Sequence, residues 1–341
     1  MSTTQHFDRR ALLLGAGAAA LAGSLSARPA FAQNVDFPAA AGYSAERRGV
    51  SLLVMKRGEI IYEDYPNAGG VDRAWELASG TKSFTGIMAA ALADDGRLEL
   101  NEPVADTIQE WRNDAQKRRI TIRHLLTLTS GLDVRGAVRR PQPYLEAIEA
   151  GVEHPAGEVF EYGPTPFQVF GEVVRRKSPQ DRDPQVYLQR RVLDHIGVAP
   201  ESWVRGRDDM PFMPQGAHFT ARAWARFGQW VMEGGHGLVD RRVLNACFQG
   251  TTANPGYGLS WWLLRPGLIP PNPRAGVGPL DSEVLGEDVR MAAGAGDQRL
   301  YLLPHRDVVI VRQANQIVRA MFARGERQWN DAEFLRYFAG L

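Results

Sequence analysis

Ser79 and Lys82 stand three residues apart in WELASGTKSFTG, the stretch from Trp75 to Gly86. Twelve serines and four lysines in 341 residues give about 0.14 such pairs by chance, so the spacing alone is suggestive and no more. A serine hydroxyl becomes a nucleophile only when a neighbouring base takes its proton. A lysine can be that base if burial or a nearby cation lowers its pKa until the neutral amine is populated. On a helix, residues i and i+3 share a face, which brings the hydroxyl and the amine within reach of each other. At a helix start, the Ser79 N–H can also donate to the oxyanion of an attacked carbonyl. The same residues fit a plainer arrangement, in which Ser79 caps the helix and Lys82 lies on its solvated face. Spacing does not separate the two.

The elements that would position this pair can be read on either side of it. From Lys82, KSFTGIMAAALADDG has apolar residues at helical spacing and stops at Gly96. Upstream, GVSLLVMKRGEIIYEDY predicts two strands joined at Arg57-Gly58. TIRHLLTLTSG and TARAWARFGQWVMEGG each predict a helix that runs from a capping threonine to a glycine. Near the end, RLYLLP and RDVVIVRQAN predict a second strand pair, and WNDAEFLRYFAG a closing helix. The pattern predicts an α/β (α+β) fold, with one sheet built from both termini and a helical region inserted between them. Residues 33–110 and 255–341 would form the sheet domain, and 111–254 a mostly helical inserted region. The Pro/Gly-rich stretch Arg265 to Asp281 has no period and predicts a long surface loop, a candidate pocket rim.

The first 32 residues have the order of an export signal: Arg9-Arg10, an apolar run from Ala11 to Leu25, then Ala30-Phe31-Ala32. The arginine pair points to the twin-arginine route, with cleavage after Ala32 and a periplasmic or secreted destination. The apolar run is too short to span a bilayer, so no stable membrane anchor is expected. The remaining chain has a net charge near −1, which offers no electrostatic reason to expect nucleic acid or an anionic membrane as partner. Cys247 is the only cysteine, so no intrachain disulfide forms, and it reads as a small buried residue. No H-E-x-x-H or comparable ligand cluster is present, so no metal is expected. G-x-S-x-G is absent, which argues against a Ser-His-Asp hydrolase, and the glycines of GAGDQ lie in a strand pattern without a following helix, so no cofactor is expected.

WELASGTKSFTG resembles the S-x-x-K motif of the serine β-lactamase and penicillin-binding-protein superfamily. Six further segments are similar, in the expected order, to its lineage of class C β-lactamases, D-alanyl-D-alanine carboxypeptidases, family VIII esterases and 6-aminohexanoate-oligomer hydrolases. These are VMKRGEIIYEDY, ITIRHLLTLTSGL, HPAGEVFEYGPTPFQVFGEVV, FTARAWARFGQWVMEGG, YGLSWWL and AAGAGDQRLYLLPHRDVVIV, and together the seven cover roughly residues 45 to 320. The resemblance implies a β-lactamase/transpeptidase-like fold with a central antiparallel sheet flanked by helices, and Ser79 as the nucleophile of an acyl-enzyme with Lys82 as its partner in proton transfer. It places Tyr162 of EYGP at the tyrosine of the second motif, where a relay of the serine proton to the leaving group would run. It also implies an oxyanion hole made from the backbone N–H groups of Ser79 and Ala295.

Two departures shape the substrate. Pro164 stands where the second motif has asparagine. Ala292-Ala293-Gly294 stands where the third has Lys-Thr-Gly or His-Thr-Gly, so the cation that would bind a substrate carboxylate is gone while Gly294 is kept. The expectation is an exported serine hydrolase acting on a small-molecule neutral ester or unusual amide. Two alternatives are a β-lactamase or D-Ala-D-Ala carboxypeptidase, and a non-catalytic binding or regulatory protein on the same fold. Gly294, Pro164 and Trp261 are candidate pocket residues; Trp261 and Trp262 equally fit core packing. Arg299 or Arg290 would restore a positive charge, or would be solvated strand residues. His218 would line the pocket or serve a structural role.

Overall fold

A computed structural model describes residues 35–134, 140–264, 288–322 and 328–341. Residues 1–32, read as an export signal, and 265–281, read as a surface loop, lie outside them. Strands β1 (Gly49–Lys56) and β2 (Glu59–Asp64) form the predicted hairpin. Arg57 and Gly58 take φ of 53° and 79°, the two left-handed residues of a turn whose twist matches the strands it joins. β1 is buried almost throughout, whereas Ile60 and Ile61 of β2 are exposed, which makes β2 the outer strand.

From the other end of the chain come β6 (Trp262–Leu264), β7 (Val289–Gly294), β8 (Gln298–Leu303) and β9 (Val308–Ala314). The order is β2-β1-β9-β8-β7-β6 and every described pairing in it is antiparallel, so both ends of the chain build one sheet. The C-terminal helix Asp331–Arg336 opens at Asn330, whose side chain accepts from the Glu333 N–H, and buries Phe334 and Leu335.

The Ser83–Asp94 helix buries every residue from Ser83 to Leu92. A helix apolar all round belongs inside the protein, not on its surface. Gly86 makes that packing feasible: a Cβ there would lie 2.6 Å from the Leu259 carbonyl oxygen and 2.8 Å from Cys247 Sγ. Cys247 is fully buried, and burial pushes its thiol up to about 12, so it is a packing residue without thiolate character. Helix Ala221–Met232, capped by the Thr220 side chain, falls within the sequence's helical region yet lies on the main sheet. A Cβ at Gly228 would be 2.7 Å from Leu300 Cδ1. Sheet and helical regions therefore share one hydrophobic core.

Two local features differ from the sequence reading. The TIRHLLTLTSG helix is only Ile122–Leu126, because Leu128 takes a left-handed φ of 59° and ends it. A second sheet also appears, in the order β3-β5-β4, from Trp75–Glu76, Ala217–Phe219 and Ser202–Trp203. Strands of two or three residues are too short to display a period. This small sheet matters because β3 leads directly into Ser79.

Candidate active site

β3 turns into the buried Ser83–Asp94 helix through a 3-10 turn, Ala78–Lys82. Ala78, immediately before the nucleophile, holds φ at 45°, a left-handed conformation that costs a non-glycine residue about 1 kcal/mol or more. The turn is held in place from β5: Leu77 N–H donates to the Ala217 carbonyl at 2.9 Å, and the Ala217 N–H donates back to Thr81 Oγ1 at 3.2 Å. Ser79 caps nothing here, since the cap positions are Leu77 for the turn and Lys82 for the helix, and neither has a side-chain cap.

Lys82 Nζ donates to Ser79 Oγ at 2.9 Å and to the Pro214 carbonyl at 3.0 Å. Instead of lying on a solvated face, Lys82 is only 4% exposed. Its ammonium faces the rings of Tyr162 and Phe167 at 4.9 and 5.5 Å, and no carboxylate pairs with it among the described residues. Burial without a counter-ion lowers its pKa from 10.5 to about 7. Near neutral pH a substantial fraction is thus the free amine a general base requires.

Tyr162 arrives from 80 residues downstream, on the segment leading into helix Thr165–Lys177. Its ring lies 5.6 Å from Trp262 and 6.3 Å from Tyr257. Burial pushes its hydroxyl up to about 12, against the opposing pull of a Ser79 hydrogen bond and of the Arg299 charge. Tyr162 is therefore a proton donor at ordinary pH, in contact with both Ser79 and Lys82. Pro164 begins the helix, and its carbonyl accepts from Phe167 and Gln168 N–H groups at 3.1 and 3.2 Å. Where an asparagine would help hold the lysine, the Pro214 carbonyl performs that task. Backbone contacts of this kind leave no mark in a sequence.

The end of β7 lies directly against the nucleophile turn. A Cβ on Gly294 would be 2.1 Å from the Leu77 carbonyl oxygen and 3.0 Å from the Gly80 nitrogen, so only glycine fits. Ala295 begins the three-residue connection to β8, because Gly294 pairs with Gln298. Gly294 is thus brought against the turn that carries Ser79, with Ala295 next along the chain. Trp261 is not: it is fully buried, with Phe227 and Phe248 rings at 6.5 and 5.6 Å, which makes it a core residue. Its neighbour Trp262 is the one that touches Tyr162, since consecutive residues along extended chain face opposite ways.

Arg299 is fully buried, and its Nε donates to Asp331 Oδ1 at 2.8 Å. Arg290 lies over the Phe248 ring at 3.9 Å and 3.7 Å from Asp288. His218 of β5 stands opposite Glu76 of β3, its Nδ1 3.0 Å from the Gly216 carbonyl, and both residues line a cavity together with Trp75 and Asn315. Among the described residues, no cluster of histidine, cysteine or carboxylate side chains could hold a metal ion.

The family model for beta-lactamase matches residues 30–329. The chain belongs to the beta-lactamase family. This beta-lactamase-family chain is 29% identical over 191 residues to Protein flp of Staphylococcus aureus strain NCTC 8325 / PS 47, covering 50% of the chain and 38% of that protein. It thus spans about four tenths of the length of that curated relative. It is also 35% identical over 103 residues to Esterase EstB of Burkholderia gladioli, covering 26% of each. Among solved structures it resembles EstCE1, a hydrolase with promiscuous acyltransferase activity, at a TM-score of 0.63 and 16% identity, covering 88% of the chain and 97% of EstCE1. At that identity the likeness is one of fold.

Proposed function

We propose that the protein is a serine hydrolase that cleaves a small neutral ester, or an amide, through an acyl-enzyme on Ser79. The observation that carries this reading is the 2.9 Å contact between Ser79 Oγ and a buried Lys82 amine with a pKa near 7. Lys82 takes the hydroxyl proton as Oγ bonds to the substrate carbonyl carbon. The oxyanion that develops meets the N–H groups of Ser79 and Ala295. Tyr162, still protonated, passes a proton to the departing alkoxide or amine and recovers one from Lys82. Water then attacks the acyl carbon, Oγ leaves with a proton, and the acid is released.

The preference for neutral substrates rests on what surrounds the third motif. Ala292 and Ala293 carry no charge, Arg299 is bound to Asp331, and Arg290 stacks on Phe248. Names among the relatives include an esterase, which fits. The test is covalent labelling of the full chain by a small fluorophosphonate, read by intact mass and peptide mapping beside Ser79→Ala. One adduct on Ser79, absent from the variant, supports the hydrolase. Folded protein that takes no adduct favours a binding protein, and an adduct elsewhere overturns Ser79 as nucleophile.

We also propose export by the twin-arginine route. Among the described residues no helix is long and apolar enough to cross a membrane. N-terminal sequencing of the mature protein should begin at Gln33; a retained Arg9-Arg10 would refute processing.

A further inference from the structure

The turn that carries Ala295 is gripped from behind by two arginines, Arg299 and Arg312, both fully buried. Arg299 Nη1 donates to the carbonyls of Gly294 and Gln298, each at 3.1 Å. Arg312 Nη1 donates to the carbonyls of Gly296 and Asp297 at 3.2 and 2.8 Å. Four of the five carbonyls from Gly294 to Gln298 therefore point at a guanidinium. Each arginine is fixed in turn. Arg299 is paired with Asp331, which also accepts from Tyr301 Oη and, at 3.0 Å, from Trp329 Nε1. Arg312 reaches Ser44 Oγ at 3.2 Å and the Arg47 carbonyl, and lies over the Trp329 ring at 4.4 Å.

We infer that this arginine pair is a positioning device for the oxyanion hole, with Arg299 acting on the very peptide whose N–H serves as the second donor. The Gly294 carbonyl and the Ala295 N–H belong to one planar trans peptide, so they point in opposite directions. Anchoring the oxygen on one side fixes the aim of the hydrogen on the other. A cationic donor on that oxygen also polarises the peptide and strengthens its N–H as a donor, the cooperative effect of chained hydrogen bonds in a poorly screened interior. Gly294 has no room to shift, pressed as it is against Leu77 and Gly80. Residues 329–331, near the C-terminus, thereby become part of the support of the active site.

The inference rests on the Ser79 hydrolase reading, and the experiment separates them. Full-length wild type, Arg299→Lys and the double variant Arg299→Gln/Asp331→Asn are compared on p-nitrophenyl butyrate and for fluorophosphonate labelling of Ser79. The double variant removes both charges together, so no unpaired buried ion remains. Circular dichroism and cooperative unfolding establish which variants fold. The expected result is a fall in kcat of roughly ten- to a hundred-fold in the double variant with KM within about two-fold, because the oxyanion exists only beyond the ground state. Arg299→Lys should recover part of kcat, since a lysine keeps the charge but not the planar fork. Should the double variant fail to fold, Arg299→Lys carries the test through a kcat loss of about five-fold at constant KM. Folded variants with wild-type kcat, or a loss confined to KM, would overturn the inference while Ser79 labelling leaves the hydrolase standing. Wild type that is neither labelled nor active overturns both.

Discussion

Lys82 and Arg299 are two cations withdrawn from water on opposite sides of the same site, and the protein treats them in opposite ways. Lys82 has a hydroxyl and a carbonyl as acceptors, aromatic rings around it and no carboxylate among the described residues. Its proton is held loosely, at a pKa near 7. Arg299 has Asp331 at 2.8 Å, and its pKa is raised further above an already high value by the attraction of that carboxylate, despite burial. One is a charge that can be given up, and the other a charge that cannot. Burial alone does not decide which; the presence of a buried counter-ion does. The motif residue is thus tuned for proton transfer, while a residue outside any motif is set for permanent electrostatics.

Replacing the labile cation by a permanent one should have the largest effect. Lys82→Arg keeps a positive charge but offers no neutral form, so kcat should fall roughly 10³-fold with the fold preserved, as steady-state kinetics and circular dichroism would show. Retained turnover would mean that Lys82 does not accept the serine proton. Next comes Asp331→Ala, which removes the carboxylate that Arg299 bonds directly. It should cost about 3–5 kcal/mol of stability, read from the urea midpoint at constant slope. A change below about 1 kcal/mol would show that water or other acceptors already compensate the guanidinium.

The third effect concerns the cost of keeping Lys82 out of water. Its folded pKa, about 7, lies below its ordinary value of 10.5. Below pH 7 both folded and unfolded chains hold the proton, and the native state bears the full cost. Between about 7 and 10.5 the unfolded chain binds a proton that the native chain has released, so stability rises with pH. Lys82→Met should therefore be more stable than wild type by about 2 kcal/mol near pH 6, the gain shrinking towards pH 10. That figure is below the full shift because methionine forfeits the bonds to Ser79 and Pro214. Thermal unfolding at both pH values checks the sign, and a gain that grows with pH would refute the depressed pKa.

The smallest effect is the finest probe of the comparison. The rate of Ser79 labelling by fluorophosphonate should rise tenfold per unit, or about 1.4 kcal/mol, as pH approaches 7 from below, then level off. Tyr162, with its hydroxyl near 12, should add no limb below about pH 10. A flat profile between about pH 5 and 8 would exclude Lys82 as the titrating base.

Much of the architecture was legible because it is local. The hairpin at Arg57-Gly58 and the last strand pair, β8 and β9, follow from short apolar, β-branched runs around turn residues, and the Ala221–Met232 helix from a capping threonine and a stripe of apolar positions. The small sheet was not legible, since β3, β4 and β5 are each too short to carry a pattern. At the site, Ser79, Lys82 and Tyr162 are brought together, whereas of the two candidate pocket tryptophans Trp261 lies in the core and Trp262 against Tyr162. A shift of one position moves an aromatic ring from the core to the face against Tyr162. Asp331, Pro214 and Arg312 gave no signal at all, because an ordinary aspartate, a backbone carbonyl and a strand arginine acquire their roles only from distant neighbours.

By itself, then, the sequence determined that a hydroxyl and an amine share one face of a turn, because three-residue spacing is settled by backbone geometry over a few ångströms. It also determined that the third motif lacks its cation. Only the tertiary structure decided that Lys82 is dry and, among the described residues, without a carboxylate, that Tyr162 closes on Ser79 from far along the chain, and that Arg299 is locked behind the Ala295 peptide. Charge state and donor aim depend on what surrounds a group in every direction, and that environment is assembled by packing across the whole chain, not by its neighbours in sequence.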